Sequence, residues 1–63
     1  MTWEELKEKV ANESGHNIVC DDYVSPWYND FWFYKDGHIV FDGETIATRR
    51  TPDQMLAIMK ALQ

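Results

Sequence analysis

The side chains with the means for metal or nucleophilic chemistry are His16, Cys20, Asp21, Asp22 and His38. A cysteine attacks only as its thiolate, which requires a nearby base and an electropositive setting. Asp21 and Asp22 follow Cys20 directly and push against its ionisation. His16 and Cys20 are four residues apart, but a helix-to-strand turn is expected between them, so they share no helix face. No pair of Cys or His has zinc-finger spacing. Cys20 therefore reads as a small strand hydrophobe, and His38 as the flank of a turn opposite Lys35. No catalytic residue, cofactor site or metal site is assigned. A chain of 63 residues also has little volume for a substrate pocket of about 300 Å³ or more. The expectation is a protein that is not an enzyme.

What remains is binding chemistry. Arg49 and Arg50 precede a helix start and are placed to act as rim charges for an anion or an acidic segment. Asp53 competes for the same helix amides, and pairing with local acids is the simpler reading of the arginines. Aromatics crowd the middle of the chain at Trp27, Tyr28, Phe31, Trp32, Phe33 and Tyr34, and large exposed apolar patches mark docking sites.

Two helices frame this centre. Thr2 with Glu5 three residues later has the form of a capping box, and Trp3, Leu6 and Val10 recur at helical spacing. Gly15 suits the C′ position, so the spacing predicts a helix over residues 2–14. Thr51-Pro52-Asp53-Gln54 combines an N-cap, proline at N1 and a capping glutamine. Met55, Ile58, Met59 and Leu62 follow on one face. Between the helices, residues 17–20 form a strand that can extend to Val24. Asp36-Gly37 joins two strands rich in aromatic and β-branched residues, and Asp42-Gly43-Glu44 turns into Thr45-Ile46-Ala47-Thr48. The fold class is α+β in the order α-β-β-β-α. Residues 1–63 make one small domain, with two helices packed on one face of a three- to four-stranded antiparallel meander sheet.

This order resembles the double-stranded RNA-binding domain. That family reads phosphates with a lysine-rich start to its last helix, where this chain has Arg49-Arg50-Thr51-Pro52-Asp53. The resemblance would imply duplex binding, which the net charge of −5 opposes.

If Asp36-Gly37 is a two-residue loop, Tyr34 faces Ile39, Phe33 faces Val40 and Trp32 faces Phe41. Trp32, Tyr34, Ile39, Phe41 and Ile46 then point to the helices. Phe31, Phe33, Val40 and Ala47 point the other way, with Trp27 and Tyr28 in the loop beside them. Two helices cannot cover both faces. The expected interaction surface is Trp27, Tyr28, Phe31, Phe33 and Val40, with Arg49 and Arg50 at its rim.

Composition narrows the partner. Of the charged residues, eleven are acidic and six basic, so nucleic acid and anionic lipid are poor partners. A chain this short buries only about 60% of its unfolded surface, and Cys20 alone can form no internal disulfide. Association with a second copy or with another protein supplies what the core lacks. The reading is a small acidic protein-interaction module, a homodimer through its open sheet face. The alternatives are an acidic decoy of a nucleic-acid-binding protein and a weak single-stranded nucleic-acid binder. No basic-then-apolar leader and no apolar run of membrane-spanning length occur in the sequence, and the expected location is cytoplasmic.

Overall fold

Both helix starts form as their sequences dictate. In the computed structural model, which describes residues 1–26 and 30–62, the Glu5 backbone N–H donates to Thr2 Oγ1 at 3.1 Å and the Thr2 N–H donates to Glu5 Oε1 at 2.9 Å. The Thr2 backbone N–H, and after it the Thr2 side chain, hold the Glu5 carboxyl below its usual range. Helix α1 (Trp3–Ala11) begins there, and α2 (Pro52–Ala61) begins with the same reciprocal box between Thr51 and Gln54. Helix α1 ends earlier than Gly15 suggested, with Asn12 as its C-cap. Asn17 takes over the capping: its Nδ2 donates to the Val10 and Glu13 carbonyls at 3.0 and 2.7 Å.

The fold is α+β, and among the described residues its sheet has five strands, more than the three to four expected. They are β1 (Ile18–Val19), β2 (Tyr23–Ser25), β3 (Phe31–Tyr34), β4 (Ile39–Phe41) and β5 (Glu44–Ala47), each antiparallel to its sequence neighbour. The extra strand arises because Asp21-Asp22 is a turn. The Cys20 N–H donates to the Tyr23 carbonyl at 2.9 Å, splitting residues 17–25 into a hairpin.

The two Asp-Gly pairs make different turns. At Asp42-Gly43 both residues have positive φ, 52° and 82°, as a two-residue type I′ loop requires. At the other, the loop is the three residues Lys35, Asp36 and Gly37. The Gly37 N–H donates to the Tyr34 carbonyl at 3.0 Å, the Tyr34 N–H donates to the His38 carbonyl at 3.0 Å, and only Gly37 takes positive φ, 102°. This is a type I turn closed by a glycine bulge. The Asp36 side chain favours it by accepting the His38 N–H at 3.0 Å.

One added loop residue shifts the register by one, which inverts the faces of β3 relative to β4. Phe33 pairs with Ile39, Phe31 with Phe41, and Trp32 with Val40. The expectation for Phe31 and Phe33 is thereby corrected, because both lie on the helix side. Phe33 is 0% exposed, in one core with Trp3, Leu6, Val10, Val24, Ile39, Met55 and Met59, and Phe31 packs against that core. A bulge where β4 meets β5 makes a second correction. Ala47, not Ile46, lies opposite Ile39 and joins the core, while Ile46 stays 53% exposed.

Gly37 also anchors the C-terminal half. The Arg50 N–H donates to its carbonyl at 2.8 Å, and a Cβ at Gly37 would lie 3.1 Å from the backbone of both Arg49 and Arg50. Gly37→Ala is expected to cost about 1–3 kcal/mol in urea unfolding, since it adds a left-handed strain to a crowded approach. Phe33→Ala should cost about 3–5 kcal/mol, comparable to the whole stability of so small a domain, and abolish the folded circular dichroism. Val40→Ala, on the opposite face, should cost about 1 kcal/mol or less.

Candidate interaction face

The face turned away from the helices is built from alternate residues of neighbouring strands. Tyr23 lies opposite Tyr34, Trp32 opposite Val40, and Val40 opposite Thr45. The rings pack on one another: Tyr23 is 5.5 Å from Trp32 and 5.6 Å from Tyr34, centroid to centroid, at 55° and 41°. Such tilted contacts suit the ring quadrupoles. Tyr34 in turn stacks on the His38 ring at 4.0 Å and 12°. All of these residues except Thr45 are half-buried, and Thr45 is exposed. The result is a continuous aromatic row from β2 to β4, over which, among the described residues, no helix lies.

Electrostatically the row is nearly neutral. Hydrogen bonding to the Cys20 side chain, and the charge that thiol would carry, hold the Tyr23 hydroxyl above the usual phenol range; partial burial and Tyr34 add to this. At the other end, His38 Nδ1 contacts the Asp36 carboxylate. Hydrogen bonds from the His38 backbone, then from its ring, hold Asp36 below its usual range. Beside Tyr34 a hollow of about 320 Å³ is walled by Asp22, Tyr34, Lys35 and Asp36. Among the described residues, no three His, Cys, Asp or Glu side chains are grouped to hold a metal ion, and no helix is long and apolar enough to cross a membrane.

Of the residues expected on the interaction surface, Val40 lies on the open face and Phe31 and Phe33 do not. Trp27 and Tyr28 lie outside the described residues. Arg49 and Arg50 are exposed on the β5–α2 connection; Arg49 has φ 58°, and Arg50 Nη1 donates to the Thr48 carbonyl at 3.2 Å. The sequence reading missed Tyr23, Trp32 and Tyr34 as residues of this face. For Trp32 and Tyr34 the sequence admitted the observed register, since Asp36-Gly37 also fits a three-residue type I turn closed by a glycine bulge; for Tyr23 it carried no such signal.

No known protein family, no curated protein and no solved structure matches the chain. The candidate site therefore rests on its own geometry.

The Asp36 contacts carry a pH dependence. A carboxyl held below its unfolded-state range contributes stability above that range, and the contribution is lost as pH falls through it. Urea unfolding at about pH 6 and about pH 3 should show an acid-side loss of stability that is smaller in Asp36→Asn than in the parent.

Proposed function

We propose that this chain is a small, acidic, non-catalytic interaction module that self-associates by packing the Tyr23–Trp32–Tyr34 face of its sheet against the same face of a second copy. The observation that carries the reading is the half-exposed aromatic row on the side without helices. Rings left partly in water gain from burial, at roughly 25 cal/mol per Å² of apolar surface removed. Faces of two copies are self-complementary under a two-fold axis. Glu4, Glu5, Glu8 and Glu13 do not obstruct the contact, because they lie on or just beyond α1, on the other side of the sheet, while Asp22 and Asp36 border it beside Tyr34.

Association through the sheet edge at β5 is disfavoured. That strand is bulged and opens with Glu44, both of which discourage pairing with a further strand. A second copy therefore meets the face rather than this edge.

Magnitude sets the strength. Five strands about 4.8 Å apart and about 13 Å long present a flat area on the order of 300 Å². Stable complexes bury about 800 Å² per partner, so the dimer is transient, with a dissociation constant in the micromolar range or weaker.

Single-stranded nucleic acid also stacks on sheet aromatics. Among the described residues, however, the strand positions of this face carry no Lys or Arg to neutralise phosphates. The acidic-decoy reading has one favourable observation, the exposed Glu4, Glu5, Glu8 and Glu13.

Sedimentation over concentrations up to about 1 mM should show a monomer–dimer equilibrium. Added salt should strengthen it, because screening relieves the repulsion between two copies that each carry −5. Trp32→Glu should leave the circular dichroism unchanged and the sample monomeric. A parent that stays monomeric throughout the range removes the self-association reading, and binding to a basic protein that weakens with salt supports the decoy instead.

A further inference from the structure

A second surface lies on the helix side, at the opposite edge of the sheet. Glu4, Lys7, Glu8 and Ala11 form one stripe along α1, with the spacing that puts residues on a common helix face. Val19, Cys20 and Asp21 run alongside it, and the two walls enclose an open groove of about 400 Å³. From Glu4 to Ala11 the helix rises about 10 Å, the length of about three residues of extended chain.

The groove is held open from both ends. At one end the Trp3 Nε1–H donates to the Asp21 carbonyl at 2.8 Å; at the other, Asn17 caps the Val10 and Glu13 carbonyls. Its shape therefore exists before anything binds, which removes an ordering cost from binding.

Its chemistry has three parts. The first is backbone. Among the described residues, strand β1 pairs with β2 alone, and Cys20 directs its N–H at β2. By the alternation of an antiparallel strand, the Val19 N–H and C=O point outward. The second is apolar, since Val19 is 38% exposed and lines the groove together with Ala11. The third is charge. Lys7, only 16% exposed at its side chain, is committed to Glu4 at 2.9 Å and Asp21 at 3.6 Å. Glu8 has no ion pair among the described residues, and three carboxylates against one ammonium leave the groove net negative.

We propose that this groove takes an extended segment of another protein, carrying an aliphatic residue flanked by lysine or arginine, which pairs with Val19 as an added strand. Backbone bonds to Val19 align the segment, its aliphatic residue covers Val19 and Ala11, and its cations meet Glu8 and the outer oxygens of Glu4 and Asp21. Strand addition of this kind takes affinity from the main chain and selectivity from the flanking side chains. An acidic segment is rejected by the same carboxylates. This site meets the aromatic face only at Cys20, whose side chain bonds Tyr23, and it does not depend on self-association.

The test uses the full chain, isotope-labelled, titrated with a synthetic peptide of alternating lysine and valine, and with a glutamate–valine peptide of the same length. The lysine–valine peptide is expected to shift the amides of Val19, Ala11 and Glu8, and added salt to weaken the effect. The glutamate–valine peptide is expected to shift none of them. Glu8→Lys should weaken binding roughly tenfold with an unchanged spectrum elsewhere. Val19→Pro should lose binding yet keep the fold, because the N–H it removes is not used in the sheet. No shifts with the cationic peptide, equal shifts with both peptides, shifts confined to Tyr23, Trp32 and Tyr34, or unweakened binding by Glu8→Lys would each overturn the proposal.

Discussion

The turn at residues 35–37 is the constraint on which the rest depends. Its third residue, Gly37, adopts a positive φ that other side chains resist, and with it the hairpin closes one residue longer than the shortest Asp-Gly loop. Because side chains alternate along a strand, that residue decides whether phenylalanines or the tryptophan–tyrosine pair enter the core. Phe31 and Phe33 carry no polar atom and can be buried without a partner. Trp32 and Tyr34 each have a polar group that would need one. The register that forms buries the rings that bury at no hydrogen-bonding cost and leaves the amphipathic ones half in water.

Gly37 also connects local geometry to the global fold. Backbone of Arg49 and Arg50 sits where a side chain at Gly37 would be, and Arg50 hydrogen-bonds its carbonyl. The hairpin tip thus positions the start of α2, whose Met55 and Met59 reach the core beside Leu6 and Val10 of α1. A short chain gains stability when one contact serves two elements, and here the same glycine sets the strand register and the placement of the last helix.

The helices were legible because their signals are local. Thr2 with Glu5, and Thr51-Pro52 with Gln54, satisfy orphan amides within four residues, and no distant contact is needed to interpret them. The α+β class followed from the same reading. Strand count and face identity did not. Asp21-Asp22 is a turn because Cys20 and Tyr23 bond across it, and nothing in the run from Asn17 to Val24 marks that bond more strongly than a continuous strand. Asp-Gly supports two loop lengths, and the choice depends on which β3 face the helices receive, a tertiary fact. Val40 alone among the strand residues nominated for the surface kept its side, because β4 was read on its correct face. Tyr23 was missed with β2 itself.

Sequence-adjacent pairing has a kinetic corollary. Every strand lies beside its neighbour in the chain, so the whole meander can zip from successive reversals without closing a large loop. Among the described residues, the meeting of α1 with α2 and the Met1 ammonium on Asp53 at 3.1 Å join the two extremities. Formation of the native state should then be quick for a sheet protein, its barrier concentrated in the late docking of the terminal helices.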